Sequence, residues 1–176
     1  MAVTKQLFRK GDMAVYPAHG VGEIQGVEIR EISGHSRKFY IMKIFESDMT
    51  VMIPTENVQK AGLREIIPTR KVKEVWEILK ERDVEIDTQT WNRRYREYIE
   101  KIKTGSIFEI AEVLRDLSLL SLDKELSFGE RKMLETARKL LTKEVAIAMD
   151  QEEVKINEKI DKIFHVPVQM PAPANA

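Results

Sequence analysis

The 176-residue chain contains no cysteine. That absence excludes disulfides, thiolate catalysis and cysteine-held zinc. No apolar run approaches the ~18 residues of a membrane span, and the N-terminus lacks the apolar core of a signal peptide. A cytoplasmic protein is expected. There is no charge excess either: Lys+Arg and Asp+Glu both number 29. A molecule-wide positive field is therefore excluded, and any nucleic-acid contact must rest on a local patch. Histidine is scarce. His19, His35 and His165 have no second histidine three or four residues away, the spacing a metal site on a helix needs. Gly20, Gly22 and Gly26 form neither a Walker-type loop nor a G-x-G-x-x-G opening a helix. Carboxylates are plentiful, but along the helical stretches they alternate with Lys and Arg as solvent-facing pairs do. No internal repeat is present. No catalytic constellation emerges, so an enzyme is not expected.

What is present divides in two. Residues 7–68 read as short strands and turns. Met13-Ala14-Val15-Tyr16 precedes the turn residues Pro17-Ala18-His19-Gly20-Val21-Gly22. Glu23 to Ile32 alternates with an irregularity at Gly26. Phe39 to Phe45 is the strongest strand, and its Phe39, Ile41 and Phe45 are expected in the core. Met49 to Pro54 follows a Ser47-Asp48 turn. This spacing predicts a small five-stranded barrel. An unpaired edge of it would suit docking to another sheet.

From Pro68-Thr69 the periodicity becomes helical, giving an α+β chain with a strand domain over 1–68, a helical domain over 69–165 and a disordered tail over 166–176. Val72, Val75, Trp76 and Leu79 mark a first buried stripe behind a Thr69 cap. Ile107, Ile110, Ala111, Leu114 and Leu117 mark another. Ser127-Phe128-Gly129-Glu130 fits a capping box, opening a long helix through Met133, Ala137, Leu140, Leu141, Val145 and Ala148. Asp150 to Phe164, with Val154, Ile160, Ile163 and Phe164 apolar, either extends that helix or docks as a separate one.

The densest stretch is Thr90-Trp91-Asn92-Arg93-Arg94-Tyr95-Arg96. With Thr90 as N-cap, Trp91, Tyr95, Tyr98, Ile99 and Ile102 share one helix face. Arg93 and Arg96 point away from it, and Arg94 lies on its border. An aromatic at the tip of a basic-flanked helix suits a phosphate backbone with a base step beside it. The ordinary meaning of the same spacing is a core stripe with solvated arginines, and Arg94 would serve equally to brace a carboxylate.

Phe8-Arg9-Lys10-Gly11-Asp12-Met13-Ala14-Val15-Tyr16-Pro17-Ala18-His19-Gly20-Val21-Gly22 resembles the opening of the CarD/CdnL family. Trp91 to Arg96, Ala111 to Leu117 and Leu126 to Leu134 resemble its helical half, so the likeness runs in register over about residues 7–149. The N-terminal part alone also resembles the RNA polymerase-interacting domain of the transcription-repair coupling factor, but that factor's helicase motifs are missing here.

The resemblance implies a Tudor/SH3-like barrel that binds the RNA polymerase β subunit, followed by an all-α domain contacting promoter DNA at the upstream edge of the melted bubble. It implies a monomer at the nucleoid through polymerase, with no enzyme activity, no cofactor, no metal and no membrane. Residue by residue, it makes Trp91 the minor-groove wedge. Arg93, Arg94 and Arg96 become its basic neighbours, with Arg131 and Lys132 on the later helix. Arg30 matches a polymerase-contacting arginine. Met52 stands where other members carry a second arginine, so an apolar or main-chain contact is expected there. Two further readings are a polymerase-binding adaptor without DNA contact and an RNA-binding barrel. The barrel's strands lack the dense Lys/Arg run the latter needs.

Overall fold

The computed structural model describes residues 7–86 and 90–164. The expected tail and His165 lie outside them. Strands β1 (Met13–Tyr16), β2 (Gly20–Ile32), β3 (His35–Ile44) and β4 (Thr50–Pro54) are followed by a helical turn, α1 (Val58–Ala61), and a two-residue strand, β5 (Arg64–Glu65). They form one antiparallel sheet in the order β4-β3-β2-β1-β5. The register shifts between Ile24 and Gly26, where the irregularity was expected. One face encloses a core of Phe8, Ala14, Ile24, Tyr40, Met42, Ile44, Ile53, Val58 and Leu63, giving a barrel-like unit.

The core face of β3 differs from the expected one. Tyr40, Met42 and Ile44 point inward, while Ile41 and Phe45 are only partly covered and Phe39, though buried, lies outside the core cluster. Strand side chains alternate strictly, so a one-residue error exchanges the faces. Lys43 shares the parity of Ile41 and is exposed, which is the physical reason that face cannot be the interior.

The rest is helical: α2 (Val72–Lys80), α3 (Trp91–Lys103), α4 (Ile107–Asp123), α5 (Phe128–Met149) and α6 (Glu153–Phe164). Their shared core includes Trp76, Tyr98, Leu114, Leu117, Leu141 and Ile160. Thr69 does not cap α2. It sits in a 3-10 turn, and its hydroxyl donates to the Ala148 carbonyl at 2.7 Å. Between α5 and α6, Asp150 adopts a left-handed conformation (φ 51°), so the last charged segment is a separate helix. It docks through Ile156, Ile160 and Phe164, a regular i, i+4 series, whereas Val154 is exposed.

The strand and helical halves are joined by an ion pair whose carboxylate is buried and whose guanidinium is partly exposed. Arg64 Nη1 donates to Glu144 Oε1 at 2.6 Å and Nη2 to Oε2 at 2.9 Å. The same guanidinium donates through Nε and Nη2 to the Gly105 carbonyl, at 2.9 and 2.6 Å. The buried Glu144 carboxylate also accepts from the Ile67 N–H at 3.0 Å. Beside it, Pro17 of the β1–β2 turn packs on Gly105, where a Cβ would lie 3.0 Å from Pro17 Cγ and φ is 72°. The Pro-Ala-His-Gly turn thus serves the junction between the halves. Arg64→Lys keeps the charge but not the planar fork. Urea unfolding should show it less stable by about 1–2 kcal/mol.

Candidate nucleic-acid interface

The stretch around Trp91 meets the first turn of α5. Thr90 occupies the N-cap position of α3, but its hydroxyl makes no cap bond. Its carbonyl accepts from the Arg93 and Arg94 N–H groups instead. The buried face of α3 is Arg94, Tyr98 and Ile102, with Trp91 and Ile99 partly covered. This corrects the expected face by one position. Tyr95, expected to pack inside, is 44% exposed and meets the Trp91 ring edge-on at 5.4 Å.

Arg94 is only 7% exposed and braces a carboxylate. Its Nη2 donates to Glu130 Oε1 at 2.8 Å, and its Cζ lies 5.7 Å from the Trp91 ring centroid. The guanidinium is therefore turned into the protein, and Arg94 leaves the set of residues able to face a phosphate. The reason is non-local, since Glu130 reaches it from another helix.

Glu130 is 1% exposed and fully engaged. It accepts from Lys124 Nζ at 3.1 and 3.3 Å and from the Ser127 N–H at 2.8 Å, while its own N–H donates to Ser127 Oγ at 3.3 Å. The last two bonds complete the expected capping box. Burial alone would raise the Glu130 pKa. The Ser127 backbone N–H, Lys124, Arg94 and the Ser127 hydroxyl together overcome it and hold the group at about 2. Burial, with Asp116 nearby, pushes the Tyr98 phenol up, against the opposing pull of Arg94.

Trp91 itself is half-buried against this turn. Next to it Phe128, the first residue of α5, is 74% exposed. The same helices and the loop between α4 and α5 carry exposed cations, three of them in ion pairs. Arg93 lies 3.8 Å from Glu97, Arg96 faces solvent, and Lys124 flanks Glu130. Arg131 donates to the Leu126 carbonyl at 3.1 Å and lies 3.8 Å from Glu125, and Lys132 is exposed. The helix N-termini of α3 and α5 meet here, an arrangement that favours anions. The Trp91–Gly129 contact brings Trp91 and Arg93 at the start of α3 and Arg131 and Lys132 at the start of α5 to one end of the helical half, with Arg96 exposed further along α3. Phe128, Lys124 and Gly129 join that end, and sequence reasoning missed them. An aromatic at the first position of a capping-box helix, where nothing buries it, was the available signal for Phe128.

Arg30 and Met52 lie apart from this tip. Ladder partners put Gly26, Ile41 and Met52 on one face of the sheet, and Arg30 with Arg37 on the same face further along β2. It is the outer face. Met52 is 43% exposed, and Arg30 is paired with the neighbouring Glu28 at 2.9 Å.

Comparison with known proteins agrees with this two-part architecture. Residues 8–67 match the model of the CarD-like/TRCF RID domain, and residues 74–161 match that of the CarD C-terminal domain. The chain belongs to the CarD/CdnL family. YdeB of Bacillus subtilis (strain 168), named as a candidate transcription factor, is 35% identical over 141 residues, spanning 80% of this chain and 92% of YdeB. Among solved structures, the N-terminal domain of CdnL from Myxococcus xanthus is 50% identical over 34% of this chain and 84% of its own, with a TM-score of 0.30. The 72-residue N-terminal domain of Myxococcus xanthus CarD is 31% identical over 33% of this chain and 77% of its own, with a TM-score of 0.29. CarD/CdnL proteins are of the transcription-regulator type, not an enzyme family, and the N-terminal half is of the RNA polymerase-interacting type. Among the described residues, no helix is long and apolar enough to cross a membrane.

Proposed function

We propose that this CarD/CdnL protein docks on the RNA polymerase β subunit through a strand module over residues 1–68 and stabilises the open promoter complex through a helical module over residues 69–165. The observation that carries this reading is the end of the helical half where Trp91 of α3 meets Gly129 of α5: a half-buried Trp91, an exposed Tyr95 and an exposed Phe128 lie on opening turns that also carry the exposed Arg93, Arg131 and Lys132. Exposed apolar groups gathered in one place mark a contact surface. Set among cations, they fit an unstacked base step flanked by phosphates.

Promoter opening exposes such a step at the upstream bubble edge. An aromatic filling the lost stacking contributes about 1–3 kcal/mol. The arginines and lysines add sequence-independent, salt-sensitive attraction. Because the chain is neutral overall, free DNA binding should be weak. The grip of the strand module on polymerase makes up for this by raising the local concentration of the tip.

Photo-crosslinking from position 91 in the complex of holoenzyme, promoter and this protein tests the reading. A crosslink to DNA at the upstream bubble edge is expected. Crosslinks to polymerase alone would favour an adaptor without DNA contact. For the polymerase side, the exposed Met52 on the outer sheet face supports an apolar contact. Met52→Asp places a carboxylate there and should weaken binding to a β-subunit fragment about fivefold, measured by calorimetry. Unchanged affinity would remove Met52 from the contact.

A further inference from the structure

The capping box accounts for Ser127 and Glu130 but gives no reason for the glycine between them. Gly129 has no positive φ, so the backbone does not demand it. Glycine is among the poorest helix formers, and alanine would serve that turn better. The reason lies across the helix boundary. A Cβ at position 129 would stand 3.0 Å from Trp91 Nε1, 3.1 Å from Cζ2 and 3.2 Å from Cε2. An entire edge of the indole rests on bare backbone. The same turn carries Glu130, which holds Arg94, whose guanidinium lies by the Trp91 ring. Tyr95 closes against the ring from the side.

We propose that Gly129 is a positioning residue for Trp91: the uncovered first turn of α5 is the seat that sets the angle and depth of the ring, and the Arg94–Glu130 pair fixes that seat to α3. The wedge is thus pre-organised by a helix other than its own. This deepens the function proposed above and rests on it. A ring held in one orientation enters a melted step without first losing rotational freedom.

Gly129→Ala separates seat from fold. The added methyl must push the ring by a few tenths of an ångström, whereas helix propensity improves. Three measurements on the full chain, in a Trp76→Phe background that leaves Trp91 the only tryptophan, test it. The melting temperature should be no lower than that of the Trp76→Phe chain, which is the parent for all three comparisons. The Trp91 emission maximum or its acrylamide quenching should change. Open-complex lifetime with polymerase holoenzyme should fall about threefold, as expected for a displaced but present group. Parent-like emission, or parent-like lifetime while Trp91→Ala shortens it, overturns the seat. A melting temperature well below the parent also overturns it, because the role is then structural. If Trp91→Ala itself leaves the lifetime unchanged, the wedge function fails instead.

Discussion

Replacing Trp91 by alanine should shorten the open-complex lifetime about tenfold and leave the affinity for polymerase unchanged. Tenfold corresponds to about 1.4 kcal/mol, within the range for one aromatic stacked on a base. The indole can act on the closed–open equilibrium only through a difference in binding to the two states. A closed duplex offers it no gap, so its whole contribution falls on the open state. Polymerase affinity should hold because the outer face of β2–β4, where Arg30 and Met52 lie, is built from a separate core. The measurement is decay of heparin-resistant complexes on a single promoter, alongside binding to a β-subunit fragment. An unaltered decay rate would make the aromatic tip a bystander. At raised salt the loss should persist, since stacking is less salt-sensitive than the flanking phosphate contacts.

The second large effect is on stability. Glu130 has its pKa held at about 2 in the folded chain, against an ordinary 4.5. A carboxylate depressed by folding stabilises above its unfolded pKa and loses that contribution as pH falls through the folded one. The difference is on the order of 3 kcal/mol. Glu130→Gln should therefore lower unfolding free energy by about that amount at pH 7. The gap to the parent should begin to narrow below about pH 4.5 and be mostly gone near pH 2. Urea titrations across that range would show it. A gap that stays constant with pH would mean that the carboxylate charge is not what Arg94 and Lys124 hold.

Much of the architecture was legible because its causes are local. The bulge at Gly26 and the capping box at Ser127–Glu130 each depend on residues within a few positions, and both are present. The core face of β3 was misread because Phe39, Ile41 and Phe45 looked the more apolar set, although Lys43 at the same parity already argued against it. Ile156, passed over in the last helix, completes a four-residue rhythm with Ile160 and Phe164 that a stricter helical count reveals. The tip was half legible. Trp91 and its arginines stand out in sequence, but Phe128 and Gly129 come from 37 and 38 positions further on, and no local pattern announces that they meet. Arg94 needed the same information. A helical wheel puts it on a border, and only the arrival of Glu130 from α5 decides which way it turns.

The Arg64–Glu144 clamp makes the two halves poor candidates for exchange between relatives. A chimaera that inherited this strand half with a partner lacking the carboxylate would leave the Arg64 guanidinium its carbonyl bonds but no counter-charge. The reverse graft would entomb an anion. Swaps should succeed only when both members of the pair travel together, which binds the inheritance of one half to that of the other.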